Sequence, residues 1–268
     1  MRGSMKKQLV LLIAILSTIA GMAIAGEGIK SKVKQYEYGS VTIDNFSSKA
    51  GFGPVVFDHW VHRAKYTCRL CHIDLGFSMK RNGTGITASD NMQGVFCGTC
   101  HNGKRKYKNE AVFQACTKEF SKDDTKTCGR CHQSGRNIRR QKEFTRFAQL
   151  LPKARFGNGI NWEKAEEMGM ITLVDQLEGI SVKMEPLPIQ KDFSITSKIG
   201  GMPDIIFSHQ KHTIMIGCEI CHPDIFTVKK GLTKYSMTEM FDGKYCGVCH
   251  DSVAFPQMDC QRCHSKPV

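Results

Sequence analysis

The sequence predicts a mostly irregular fold with sparse short helices and a short N-terminal β-hairpin, arranged as two tandem units without a conventional side-chain core. Three observations predict it. Cysteine occurs 13 times in 268 residues, and twelve of these fall in six Cys-x-x-Cys-His motifs. The motifs come in two groups of three, each introduced by the same Phe-x-His-x-x-His element. About 40 residues are available per motif, too few to build an apolar core first and take up a bound group afterwards, so the bound groups must themselves be the core.

The motifs are Cys68/Cys71-His72, Cys97/Cys100-His101, Cys128/Cys131-His132, Cys218/Cys221-His222, Cys246/Cys249-His250 and Cys260/Cys263-His264, with Cys116 left over. Two thiols three positions apart reach the two vinyl groups on one edge of a haem and form thioethers. The following His then lies beneath the iron as its proximal ligand. Zinc knuckles need four Cys or His ligands per metal and give no reason for His to follow every pair at one offset. Thioredoxin-like redox pairs come singly on a strand–helix unit. The spacing therefore predicts six covalently bound haem c groups.

The elements are justified in chain order. Lys6 and Lys7 precede an apolar run from Leu9 to Ala25 that ends in Ala23-Ile24-Ala25, the pattern of a cleaved secretory signal over residues 1–25. The run is short and interrupted by Ser17, Thr18 and Gly21, so stable membrane insertion is not expected after cleavage. Export places the chain in the periplasm, with the outer surface or the extracellular space as the further options. Residues 36–57 hold two short β-like runs with Gly between them, a hairpin leading into the first His pair. Residues 26–132 form the first tri-haem unit and 203–268 the second.

Between them, residues 133–202 lack both Cys and the His pattern. Phe144, Phe147, Ala148 and Leu151 recur at helical spacing there. Asn161 is placed to cap a helix through Glu167 that Gly169 stops. Ile171 to Ile180 reads as extended, and Pro186 and Pro188 interrupt regular structure beyond it.

The formal charge of +13 invites a nucleic-acid or anionic-membrane partner. Loss of Arg2, Lys6 and Lys7 with the signal lowers it to about +10, and six haems add about −12 of propionate charge, partly offset by ferric iron. The basic excess is then counter-charge, and nucleic-acid binding is not expected.

Six low-spin haems need twelve axial ligands. The motif histidines supply six, and the chain's 10 His leave four more, His59, His62, His209 and His212. At most four haems are then bis-His. The spare histidines form two i, i+3 pairs, each on one face of a helical turn and able to serve two haems. One haem in each half must take another ligand or stay open. Methionine is the natural candidate: Met92, with Met79 as the other option, in the first half, and Met240, with Met237 as the other option, in the second.

Phe-x-His-x-x-His followed by three Cys-x-x-Cys-His motifs, over approximately 53–132 and 203–264, resembles the c7-type tri-haem cytochromes. These are a branch of the cytochrome c3 superfamily found in metal-reducing bacteria. The resemblance implies the small multihaem cytochrome fold and assigns ligands. His59 pairs with His72, His62 with His101, His209 with His222, and His212 with His250. A third ligand just before the second motif serves the third haem. Many family members carry His there and this chain has none, which implies His132–Met92 and His264–Met240, although the halves do not align there without a gap. A second departure is the insertion at 102–127, which contains Cys116, read as a free, dimer-forming or buried inert thiol.

The function expected is electron transfer through closely spaced low-spin haems, without enzymatic turnover. The partners would be other redox proteins: cytochromes, membrane quinol-linked or outer-membrane complexes, with metal ions or extracellular acceptors as further candidates. The alternatives are a reductase using an open haem on a small molecule such as nitrite, and a subunit of an extracellular haem filament. No Cys-x-x-Cys-Lys variant is present to favour the reductase.

Overall fold

The computed structural model describes residues 33–117, 127–133, 138–185 and 191–266. The chain divides into Met1–Lys34, almost all of it outside the described residues, and a body, Gln35–Val268. The expected signal segment, Pro186 and Pro188 lie outside the described residues.

Each half opens with an antiparallel hairpin that delivers the histidine pair. Strands β1 (Ser40–Ile43) and β2 (Val55–Asp58) pair in the register Ser40↔Asp58 to Ile43↔Val55, and α1 (His59–Arg63) follows directly. In the second half β5 (Phe193–Ile195) pairs with β6 (Ile205–Phe207), and α5 (His209–Ile216) follows. This second hairpin was not expected. Its first strand is three residues long and lies within the segment read as connecting, where so few alternating residues leave no periodic signal. A third small hairpin, β3 (Lys106–Tyr107) with β4 (Glu110–Ala111), turns through Lys108 and Asn109 in the left-handed region inside the 102–127 insertion.

Short helical turns carry the motifs. The first motif sits on a π-type turn, Leu70–Asp74, and the second in each half on 3-10 turns, Phe96–Thr99 and Tyr245–Val248. Each of those 3-10 turns is preceded by a one-turn helix, α2 (Ala88–Met92) or α6 (Met237–Phe241). Both helices have side-chain caps: Thr87 accepts from the Asp90 N–H in a full capping box, and Ser236 accepts from the Glu239 N–H. The last motif of the chain lies on α7 (Cys260–Cys263).

The haem-free segment is not a mere connector. It folds as α3 (Ile138–Ala148) and α4 (Trp162–Glu167), the latter capped by Asn161 accepting from the Lys164 N–H and followed by Gly169 at φ +67°. Phe144 and Ala148 lie one turn apart on α3, and with Leu151, Ile160, Ala165 and Ile171 they close on Tyr36 and on Trp60 of α1. Trp60 meets Phe144 edge-on at 5.3 Å and Phe147 at 5.4 Å. A side-chain core therefore does exist, and it packs on the residue between the first two ligand candidates, His59 and His62. The 171–177 stretch is extended as expected but joins no sheet, Val174 making a single parallel bridge to Tyr66. Residues 178–180 turn back instead, with the Ile180 N–H donating to the Leu177 carbonyl and Gly179 in the left-handed region.

Candidate haem-binding sites

The motif residues face one another across a continuous cavity of about 2560 Å³, several times a typical single-ligand pocket. Every motif Cys and His lines it except Cys128 and His132. No helix among the described residues is long and apolar enough to cross a membrane.

The histidines are oriented by the main chain. Nδ1 of His59 lies 2.7 Å from the Gly39 carbonyl, that of His72 2.8 Å from Phe77, and that of His62 3.4 Å from Asp58. His132 reaches the Gly53 carbonyl at 2.8 Å, and His212 reaches Ser208 at 2.8 Å. His222 reaches Phe226 at 2.7 Å, His250 reaches Phe255 at 2.9 Å and His264 reaches Pro203 at 2.7 Å. A carbonyl accepts only from a protonated nitrogen, so each ring carries its proton on Nδ1 and offers Nε2 as a lone pair. Burial lowers the pKa of His59, His72, His101 and His250, and that of His62 to about 4. Desolvation thus keeps these imidazoles in the neutral form that binds a metal.

Three pairs of rings stand at the separation that one metal between them requires. Two imidazoles on opposite sides of a metal, each at a bond of about 2.0 Å, have ring centroids about 6.3 Å apart. His59 and His72 are 6.5 Å apart and nearly parallel at 9°, His62 and His101 are 6.2 Å apart, and His212 and His250 are 6.4 Å apart. The residues present therefore fit haem. The Phe of each Phe-x-His-x-x-His element stacks on the second His, Phe57 on His62 at 4.4 Å and Phe207 on His212 at 4.6 Å, both at 26°. Among the described residues, His209 makes no ring contact with His222. Among the described residues it has no Nδ1 tether like the one Gly39 gives His59, and it leans on Phe193 and Phe207, each at 5.9 Å.

The methionines divide. Met240 is buried and lines the cavity, Met237 lines it half-buried, and Met79 lines it while largely exposed. Met92 is exposed and off the cavity. The glycine after each middle motif's first Cys is explained by packing. A Cβ at Gly98 would strike the Asn91 carbonyl, and one at Gly247 the Met240 carbonyl.

Burial pushes the thiols of Cys71, Cys97 and Cys249 up to about 12 and that of Cys246 up to about 11, with neighbouring thiols adding to each rise. The neighbours trace an unbroken succession. Cys131 acts on Cys97, Cys97 and Cys100 on Cys71, Cys68 on Cys249, Cys221 on both Cys249 and Cys246, and Cys263 on Cys246. The step from Cys68 to Cys249 crosses between the halves.

Two arginines outside the Cys and His positions fix this arrangement. Arg69, inside the first motif and 2% exposed, donates to both Asp74 carboxylate oxygens at 2.9 and 3.0 Å, to the Asp175 carbonyl at 2.7 Å and to the Val182 carbonyl at 3.2 Å. Arg262 of the last motif donates to Asn161 and Glu163 at 3.3 Å each. Neither is legible in the sequence, because a single Arg between two Cys carries no pattern.

The family described as cytochrome c7 and related cytochrome c matches residues 55–133 and 205–265. No curated protein matches. Among solved structures, a c7-type three-heme cytochrome domain is 36% identical over 29% of this chain and 95% of its own, with a TM-score of 0.26. The C-terminal hexaheme fragment of GSU1996 is 23% identical over 85% of this chain and 97% of its own, with a TM-score of 0.26. The dodecaheme cytochrome c GSU1996 is 25% identical over 85% of this chain and 74% of its own, with a TM-score of 0.26. With matched segments that both begin at the second strand of a hairpin and end just past a third Cys-x-x-Cys-His, the chain belongs to the family of cytochrome c7 and related c-type cytochromes.

Proposed function

We propose that the chain holds six haem c groups, one per motif, and passes electrons between redox partners outside the cytoplasm. The observation that carries this reading is that three histidine pairs stand at the separation one metal between them requires, around a single cavity lined by motif residues of both halves. Macrocycles attached along one continuous cavity would have edges that are close neighbours. The haems supply the redox-active irons.

The protein's contribution is to hold, orient and exclude water. Twelve cysteines anchor the groups, and backbone carbonyls fix the imidazole tautomers. Desolvation and ligand type set the order of potentials. His59–His72, His62–His101, His209–His222 and His212–His250 are the proposed bis-His pairs, and Met240 is the proposed partner of His264. With five of the six irons given both axial ligands by the chain, it acts as a carrier and not as a reductase. It meets other cytochromes or membrane-associated redox complexes transiently, through charge around exposed haem edges. The leader pattern supports a periplasmic location.

The test is a haem count by pyridine haemochrome on the exported holoprotein, followed by rapid mixing with a one-electron donor. Six haems per chain that all reduce in one connected process support the reading. Fewer than six, or one half that stays oxidised while the other reduces, would overturn it.

A further inference from the structure

The turn that orients one candidate ligand in the first half is bonded to the turn that orients another in the second. Tyr38 donates its hydroxyl to the Ala254 carbonyl at 2.6 Å. The next residue, Gly39, supplies the carbonyl that holds His59. It sits at φ +78°, and a Cβ built on it would lie 3.7 Å from both the Ser252 carbonyl oxygen and Val253 Cα. Across the contact, Ser252, Val253 and Ala254 all donate their N–H back to the Cys249 carbonyl, and Phe255 supplies the carbonyl that holds His250. Pro256 and the Tyr38 ring meet at Gly157, at 3.3 and 3.5 Å from a Cβ built there. One hydroxyl therefore joins the two turns whose carbonyls set the tilt of His59 and of His250.

This tie is not a requirement of the repeated unit. Val41 pairs with Phe57 and Phe193 with Phe207, so the register of the two hairpins puts Lys191 at the place of Gly39. Lys191 is exposed, and among the described residues no carbonyl there holds His209. The matching turn after His101 carries the 102–127 insertion instead. A tie without a counterpart in the second hairpin serves the junction of the halves. The first motif makes a second approach across that junction, where the Arg69 side chain lies 3.2 Å from a Cβ built at Gly217. Arg69 spends its nitrogens on Asp74, Asp175 and Val182, so this second approach is packing alone.

We propose that Tyr38 is a positioning residue that couples the His59–His72 site of the first half to the His212–His250 site of the second, and that electrons cross between the halves at these two sites. The inference rests on the six-haem reading above. The step moves one electron from a ferrous to a ferric iron, with no bond made or broken and no proton transferred. Transfer weakens steeply with separation, and a hydrogen bond that fixes two ligand turns against each other fixes that separation. Each turn also tunes its imidazole through the carbonyl that Nδ1–H donates to, so one hydroxyl bears on both sites. The crossing then joins the first and fifth motifs, not the third and fourth, which are neighbours along the chain.

The experiment uses the fully loaded protein, with haem resonances assigned through contacts to their ligand histidines. In the partly reduced, unaltered protein, exchange spectroscopy is expected to show faster electron exchange between the first and fifth haems than across any other pair drawn from different halves. Tyr38→Phe removes the hydroxyl and keeps the ring. It should shift the resonances of His59 and His250 together and leave those of His132 and His222 in place. It should also slow exchange between the halves several-fold, while exchange within each half keeps its rate. A hydroxyl that only stabilises the fold would lower the denaturation midpoint and leave the resonances and the inter-half rate unaltered, and that result overturns the proposal. So does faster exchange between the third and fourth haems, or the first and fourth, in the unaltered protein, a measurement that stands even where the variant loads poorly. A haem count below six would instead overturn the reading on which the proposal rests.

Discussion

Arg140 of α3 grips the Asp58 carboxylate with two of its nitrogens, and the same guanidinium takes in the Ser40 hydroxyl at 3.0 Å. The helix of the haem-free segment is thereby fastened to the last residue of β2, immediately before His59. Both side chains are 11% exposed, so removing one leaves its partner charged in a poorly hydrated place. Arg140→Leu is expected to cost about 3 kcal/mol in chemical denaturation of the holoprotein. Asp58→Asn with Arg140→Leu together should cost less than the two single changes added, because neither then strands a charge.

Trp60 ties the ligand pair to the same core. Truncation to Ala is expected to cost about 3–5 kcal/mol, the usual range for a buried aromatic. Its spectroscopic effect should be one-sided. Gln210 stands at the matching place in α5 and is exposed, so the second half has no such anchor. Trp60→Ala should broaden the signals of the haems ligated by His59 and His62 and leave those of the second half sharp. Equal broadening in both halves would contradict the assignment of the core to the first half alone.

Gly98→Ala and Gly247→Ala are expected to destabilise the middle haem sites by about 1–3 kcal/mol each through overpacking. The atom in the way is a backbone carbonyl in both cases, so no side-chain rotation relieves the contact. Thermal unfolding followed at the Soret band would measure the loss. An Ala at Gly129, where nothing lies within 4 Å, serves as the neutral control.

Two neighbouring glutamates on α4 should leave opposite marks on the pH dependence of stability. Hydrogen bonding and charge from Lys211, with Arg262 adding, hold the Glu163 carboxyl below the usual range. Its contribution is therefore present above the unfolded carboxylate pKa and is lost as pH falls through the lower folded value. Burial raises Glu166 despite the Arg63 partner, so its contribution is present at low pH and is lost as pH rises through its raised value. Glu163→Gln should flatten the acid side of the stability profile, and Glu166→Gln should raise stability on the neutral side. Denaturation midpoints of the two variants between about pH 3 and 7 distinguish them.

The motifs, the two histidine pairs, the capped helix at Asn161 and the amphipathic helix around Phe144 are legible because each is a repeated spacing or a cap at a fixed offset. What the sequence conceals is contact. Phe193–Ile195 is too short to show alternation, yet it pairs with Ile205–Phe207 because the chain returns there. Trp60 gives no sign that the haem-free segment closes on it, since burial by a distant helix leaves no local periodicity. Residue type favours Met92, but the carbonyl contacts at Gly98 and Gly247 fix the register of the halves one residue away from that choice.

Nearly every candidate ligand imidazole leans on a main-chain oxygen, and a main-chain oxygen cannot be mutated away. Substitution on the surface or in the loops can therefore change the charge that partners meet without disturbing the tautomer or tilt of the rings at Gly39, Phe77, Ser208 or Phe255. The redox centres are insulated from sequence drift, and the outer face is free to adapt to new donors and acceptors. A scaffold of this kind can be duplicated and redeployed with its internal chemistry intact.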